Sequence, residues 1–194
     1  MNTADETQIL DAVSRWLERE VRAKVRALER DDVYPEAMVE QMKELGLFGA
    51  TIPQAYGGLG LPASTYAKVV ALISEVWMSL TGIFNSHLIM AAAVSRFGTE
   101  EQKRRFLPKF ASGEVRGGLA LTEPDCGTDL QAIRMRAVRE GGVYVVNGTK
   151  TWISNGIQGT CFALLVKTDP SAQPRHKGMS LFLAEKRDGF RVSR

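Results

Sequence analysis

GTEEQKRRFLPKFASGEVRGGLALTEPDCGTDL, residues 98–130, is where the chain changes its period. Before Val115, apolar residues recur at three- and four-residue steps; after it they alternate or run continuously. Inside the stretch, Thr99-Glu100-Glu101-Gln102 has the form of a capping box. The spacing predicts a short basic helix after it, ending before Pro108. Residues 118–121 then read as a strand. Helices first and strands afterwards predict an α+β chain. Its expected parts are an N-terminal all-α bundle over residues 1–114 and an antiparallel β-domain over residues 115–194.

Upstream, Ile9, Leu10, Val13, Trp16, Leu17, Val21, Val25 and Leu28 follow one helical stripe and predict a single long amphipathic helix. Pro35 suits the first turn of a second helix and Gly46 its end, with Met38, Met42 and Leu45 facing inward. IPQAYGGLGLP, residues 52–62, is a Gly/Pro loop. From Ser64 or Thr65 a helical stretch runs to about Ser79, and another follows a break near Gly82 or Asn85 and stops at Gly98. This pair carries few charges and is expected at the centre of the bundle.

Downstream, residues 133–138, 143–146, 151–154, 162–166 and 179–184 read as further strands. Asn147-Gly148 predicts a hairpin turn, since a type I′ turn needs positive φ at both central positions. The closing DGFRVSR resembles the start of another strand. A sheet this short keeps an unpaired edge, so the chain is expected to stop inside its second domain.

Composition narrows the classes. The chain has 194 residues, 44% hydrophobic and 24% charged, with a net charge of +3. These are ordinary values for a globular chain and exclude a disordered, collagenous or mucin-like one. So small an excess of positive charge gives no argument for a nucleic-acid partner. Continuous apolar stretches such as residues 69–73 and 88–94 fall short of a membrane span, and MNTADETQIL has no secretory pattern. Cys126 and Cys161 read as free thiols of a reducing compartment, and a cytoplasmic location is expected. His87 and His176 are too isolated to build a metal site with them.

Two segments could carry chemistry. In LALTEPDCGTDL, residues 119–130, a strand runs into a loop with Thr122, Pro124, Gly127, Thr128 and Asp129. Such a loop can hold a heterocycle edge or a phosphate through backbone N–H groups and hydroxyls. Composition alone favours an ordinary turn whose Asp and Thr satisfy their own backbone. In NGTKTWISNG, residues 147–156, Trp152 and Ser154 would share one strand face, where an indole beside a hydroxyl could seat a flat conjugated ligand. Taken alone, a Trp packed in the core is favoured. Lys103, Arg104, Arg105 and Lys109 read as a solvated helix face before an anion site, and His87 as an interhelical hydrogen bond before a base.

Together these segments resemble the acyl-CoA dehydrogenase family. LTEPDCGTD is similar to its first signature, NGTKTWISNG to its flavin-contacting strand, IPQAYGGLG to its PxxYGG loop, and GTEEQKRRFLPKFASGE to the helix leading into its β-domain. The resemblance implies FAD as cofactor and α,β-dehydrogenation of an acyl-CoA thioester, with hydride transfer to flavin N5. It also implies fatty acid metabolism, an electron-transfer flavoprotein as electron acceptor, and a homo-oligomer, tetramer or dimer, at full length.

By the same resemblance Leu119, Ala120, Leu121, Thr122, Gly127 and Thr128 line the flavin, with Thr122 at its pyrimidine end. Thr128 also meets the pyrophosphate and the CoA arm of the substrate. Trp152 covers the ring system beside Ile153, and Ser154 offers its hydroxyl to N5. The family's catalytic Glu belongs to its C-terminal domain, so no catalytic base is named in this chain. The 194 residues alone are expected to bind FAD poorly and to turn over nothing; were turnover found, Glu75 and Glu123 would be the carboxylates to test. Two alternatives stand beside this reading: a flavin oxidase or monooxygenase on the same scaffold, and a non-catalytic truncated or split subunit.

Overall fold

The computed structural model describes residues 3–193. The chain divides between Val115 and Arg116 into two compact units, one helical and one built on a sheet.

In the helical unit α1 (Thr3–Trp16) passes into a π-helical turn (Leu17–Val21) and, after a short turn, into α2 (Val25–Arg30). The single long helix expected here is therefore interrupted. The N–H of Arg22 reaches back five residues to the Leu17 carbonyl, 2.9 Å away. This widening of the ladder adds a residue to the turn while Trp16, Leu17 and Val21 all stay buried. Helix α3 (Glu36–Glu44) begins directly after Pro35, and Gly46 adopts the left-handed conformation that ends it. Met38 and Met42 are buried and Leu45 half-buried, on the inward face the spacing predicted.

Helix α4 (Ala63–Phe97) supplies the centre of the core. Val69, Ile73, Leu80, Phe84 and Met90 are fully buried along it. Its interruption lies at Trp77, where φ is −158° and ψ 101°, rather than near Gly82 or Asn85. At this break the Trp77 indole N–H donates to Glu29 of α2 at 2.7 Å. Although the apolar runs within it are short, α4 as a whole is long and apolar enough to cross a membrane by length and composition. In this fold its apolar face is the packed core of a bundle.

Helix α5 (Glu100–Ala111) opens on the capping box between Thr99 and Gln102 and continues through Pro108, where it was expected to stop. Burial of Phe110 and Ala111 rewards the extra turn. Buried His87 donates from Nε2 to the Phe110 carbonyl at 3.0 Å, joining α4 to α5 as an interhelical bond. Lys103 and Lys109 pair with Glu100 and Glu114 at 2.8 and 3.4 Å, as a solvated helix face would.

The second unit is a five-stranded open sheet: β1 (Gly117–Ala120), β2 (Arg136–Glu140), β3 (Val143–Asn147), β4 (Cys161–Lys167) and β5 (Met179–Glu185). Strand β4, CFALLVK, is apolar almost throughout and buried, as a central strand must be. Antiparallel β5 takes one of its edges, from Cys161↔Glu185 to Lys167↔Met179. The other edge is shared end to end by β1 (Gly117↔Cys161 to Ala120↔Leu164) and β2 (Arg136↔Lys167), both parallel to β4. The sheet is thus mixed, not wholly antiparallel. Long connections separate β1 and β2 from β4, which allows the parallel sense.

Three further expectations change. The hairpin turn is Gly141-Gly142, with Gly141 at φ 59°, joining β2 to β3 in the register Glu140↔Val143. Asn147 lies inside the ladder opposite Arg136. Residues 151–154 are not a strand, because the chain leaves the sheet after Asn147. Residues 187–193 form a turn and an extended tail with no ladder; Phe190 stacks on Phe162 at 5.7 Å, and Arg194 lies outside the described residues.

Candidate functional site

The site is built where β1 ends. Strand β1 is short and small-residued, so Gly117, Gly118 and Ala120 sit tightly against β4. Its exit loop then turns back at Glu123 and Cys126, whose backbones exchange two hydrogen bonds at 2.9 and 3.2 Å. Residues 150–159 lie beside this loop and are tied to the sheet at several points. The Thr151 N–H donates to the Thr122 carbonyl at 2.9 Å. The Asn155 side-chain amide donates to the Gly117 carbonyl at 2.8 Å, and the Lys186 ammonium to the Ile157 carbonyl at 2.8 Å.

The strongest tie is ionic. Lys150 Nζ lies 2.8 Å from Glu123 Oε1 and 2.8 Å from the Leu121 carbonyl. Both side chains are only 6% exposed, so water screens the pair little. Glu123 also accepts from the backbone N–H groups of Arg134, 2.6 Å from Oε2, and Met135, 3.0 Å from Oε1. Burial pushes the Glu123 carboxyl up, but these bonds outweigh it and hold the group below its ordinary 4.5. Glu123 is therefore a fastened anion and unsuited to take a proton from a substrate. Glu75, the other carboxylate singled out, is exposed on α4.

A lowered carboxyl has a stability consequence of definite sign. The stabilisation is complete above the unfolded-state value near pH 4.5 and is lost as pH falls through the lower folded-state value. Glu123→Gln should therefore destabilise the β-unit at neutral pH and flatten its acid dependence below pH 4.5. Urea unfolding across an acid series measures both; an acid dependence unchanged by the substitution would contradict this account.

The structure brings the two expected segments together, but not in the expected way. Trp152 and Ser154 do not share a strand face. Trp152 has φ 56° and Asn155 φ 63°, so the segment enters left-handed backbone at both positions, which costs a bulky side chain such as Trp152 about 1–3 kcal/mol. The turn leaves the Trp152 indole 91% exposed and Ser154 exposed. Ile153 points the other way and packs on the sheet core of Ala120, Met135, Phe162 and Leu164. Ala120 is buried and can offer a ligand only backbone, while Ile153 is half-buried. Leu119, Leu121 and Thr122 are half-buried, while Gly127 and Thr128 are exposed. A side chain added at Gly127 would touch only Thr122 Cγ2, at 3.8 Å, so the loop is open on that side.

Sequence reasoning gave no role to Lys150, although it stands within the quoted NGTKTWISNG. No local signal marked it, since Glu123 and Lys150 both stand among polar loop residues, Thr122-Glu123-Pro124-Asp125 and Gly148-Thr149-Lys150-Thr151.

A helical bundle followed by an open sheet with a platform at its first strand is an architecture shared with known oxidoreductases. Residues 3–114 match the N-terminal domain of acyl-CoA dehydrogenases and residues 118–194 their middle domain. Over 160 residues the chain is 38% identical to a (2S)-methylsuccinyl-CoA dehydrogenase of Cereibacter sphaeroides, covering 82% of this chain and 29% of that protein. It superposes on an acyl-CoA dehydrogenase of Geobacillus kaustophilus with a TM-score of 0.86 and 33% identity, covering 96% of this chain and 49% of the other. It also superposes on the prolyl acyl carrier protein oxidase AnaB with a TM-score of 0.85 and 26% identity, covering 96% and 49%. The chain belongs to the acyl-CoA dehydrogenase family and corresponds to its N-terminal and middle domains. It spans about half the length, or less, of these relatives.

Proposed function

We propose that this chain supplies the flavin platform of an FAD-dependent acyl-CoA dehydrogenase. The observation that carries the reading is Trp152: a large aromatic held in strained left-handed backbone, almost wholly exposed, beside the loop of Thr122 and Thr128. Strain of this kind persists where neighbours over-determine it, as Thr151, Asn155 and Lys186 do here. The residues fit a flat heterocycle carrying a pyrophosphate. Trp152 offers a face for the rings and Ser154 an exposed hydroxyl. Thr122 bonds the pyrimidine end. Thr128, beside open Gly127, meets the pyrophosphate and the CoA arm. When bound, FAD would accept at N5 the hydride leaving the β carbon of an acyl-CoA thioester. A donor such as Ser154, fixed in advance where charge develops, favours that transfer. An electron-transfer flavoprotein is the acceptor this reading implies.

Titration of the protein with FAD, followed by flavin fluorescence, tests the platform. Affinity should be weak, because a single wall encloses less than the roughly 70–90% of a ligand that pockets bury. It should weaken further in Trp152→Ala by about 1 kcal/mol or more, the worth of an aromatic stacking contact. Wild-type protein that binds no FAD would remove the basis of the proposal. The likeness to AnaB supports a second reading, an oxidase on the same scaffold. Both readings have an acyl substrate bleach bound flavin without oxygen; slow reoxidation in air favours the dehydrogenase, and rapid reoxidation with peroxide release favours the oxidase.

A further inference from the structure

We infer that Lys150 and Glu123 are positioning residues for the cofactor seat, setting the distance between the Thr122 loop and the segment that presents Trp152 and Ser154. The inference rests on the flavin reading above. Its starting point is the position of the two charges in the chain. Glu123 directly follows Thr122, and Lys150 stands two residues before Trp152. Each end of the ion pair is therefore anchored beside a group assigned to ligand contact.

The pair is more than a bridge between two side chains. Lys150 also takes the Leu121 carbonyl, and Glu123 also takes the N–H groups of Arg134 and Met135 at the entry to β2. One buried carboxylate thus joins the exit of β1, the entry of β2 and the strained segment. With Thr151 bonded to Thr122, the carbonyls of both Leu121 and Thr122 are directed at residues 150–151. The loop is turned so that hydroxyls and backbone N–H groups remain for a ligand rich in acceptor atoms.

Stability is a poor explanation for this arrangement. A buried ion pair loses so much hydration that apolar residues of similar volume often serve as well or better. Removing one partner is damaging, because it strands a charge. Replacing both should leave folding intact while releasing the geometry. That difference separates positioning from mere support.

The test is the double variant Glu123→Met with Lys150→Met, compared with wild type in thermal unfolding, in FAD affinity and in the visible circular dichroism of bound FAD. The expected result is a cooperative unfolding transition, lowered only by the loss of the bonds to the Arg134 and Met135 N–H groups and the Leu121 carbonyl, with FAD affinity reduced about tenfold or more and an altered flavin dichroism. Wild-type affinity and dichroism in the folded double variant would overturn the inference. Should that variant not fold, Lys150→Arg provides the reading. Its planar fork keeps the charge but cannot reproduce a point contact to both Leu121 and Glu123. Altered dichroism with weaker binding is expected there, and unchanged values of both overturn the inference. Wild-type protein that takes up no FAD overturns the flavin reading itself, and that failure shows before any variant is made.

Discussion

Phe84→Ala should remove about 3–5 kcal/mol from the stability of the helical unit. Phe84 is fully buried near the middle of α4 and meets the Tyr66 ring edge-on, with centroids 6.2 Å apart. Leu80 and Ile73 are equally buried on the same helix. Truncation therefore loses the transfer energy of the ring and leaves a cavity where the helical stretches on either side of Trp77 meet, Tyr66 lying on one and Phe84 on the other. Such a site collapses little, and the loss should fall at the upper end of large-to-small substitutions. Urea unfolding followed by helical circular dichroism measures it. Met78→Ala on the same helix is the control: Met78 is 72% exposed, so its removal should change stability by no more than about 0.5 kcal/mol. A loss below about 1 kcal/mol at Phe84 would mean that the core is not close-packed there.

Gly178→Ala should cost the β-unit about 3 kcal/mol. A Cβ built at this position would lie 1.8 Å from the Asp169 carbonyl oxygen and 2.9 Å from Ala172 Cβ. The nearest obstacle is backbone, which cannot swing aside like a flexible side chain. The Gly178 carbonyl in turn accepts from the N–H groups of Thr168 and Asp169 at 2.9 and 3.1 Å. Any shift that relieves the clash breaks the bonds closing the β4–β5 connection. Amide exchange in β4 and β5 should accelerate roughly 100-fold while α4 and α5 keep their protection. Equal protection in both proteins would show that the connection yields at no cost.

What the sequence disclosed and what it hid divide along physical lines. The change of period at Val115, the capping box at Thr99 and Gln102, and the apolar content of α4 and β4 are local or periodic signals, and each is found where it was read. The errors fall where a contact distant in sequence overrides local preference. The break in α4 falls at Trp77, whose indole is tied to Glu29 of α2. Burial of Phe110 carries α5 through Pro108. Asn147-Gly148, a strong turn signal, lies at the end of a ladder instead, where Gly148 packs so closely on Met135 that an added Cβ would lie 2.7 Å from its side chain. In the candidate site, motif resemblance singles out Thr122, Thr128, Trp152 and Ser154, and the Thr151–Thr122 hydrogen bond brings their two segments together. The left-handed turn and the ion pair that arrange them were not legible in the sequence, since neither has a period.

The place of β4 also bears on the order in which the sheet can be assembled. Strand β1 ends at Ala120, and its neighbour in the sheet begins only at Cys161. Between them the chain forms one sheet contact it can close locally, the β2–β3 hairpin. Nascent β1 therefore waits on residues made some forty positions later, and the loop closure entropy of that interval is met before the first parallel bond is gained. The helical unit has no such debt at its two ends of α4 and α5, which are neighbours in sequence and in space. On a ribosome the helical unit can be packed while the loop after β1 is still an unpaired strand end, and the arrival of CFALLVK is the event that turns it into a surface.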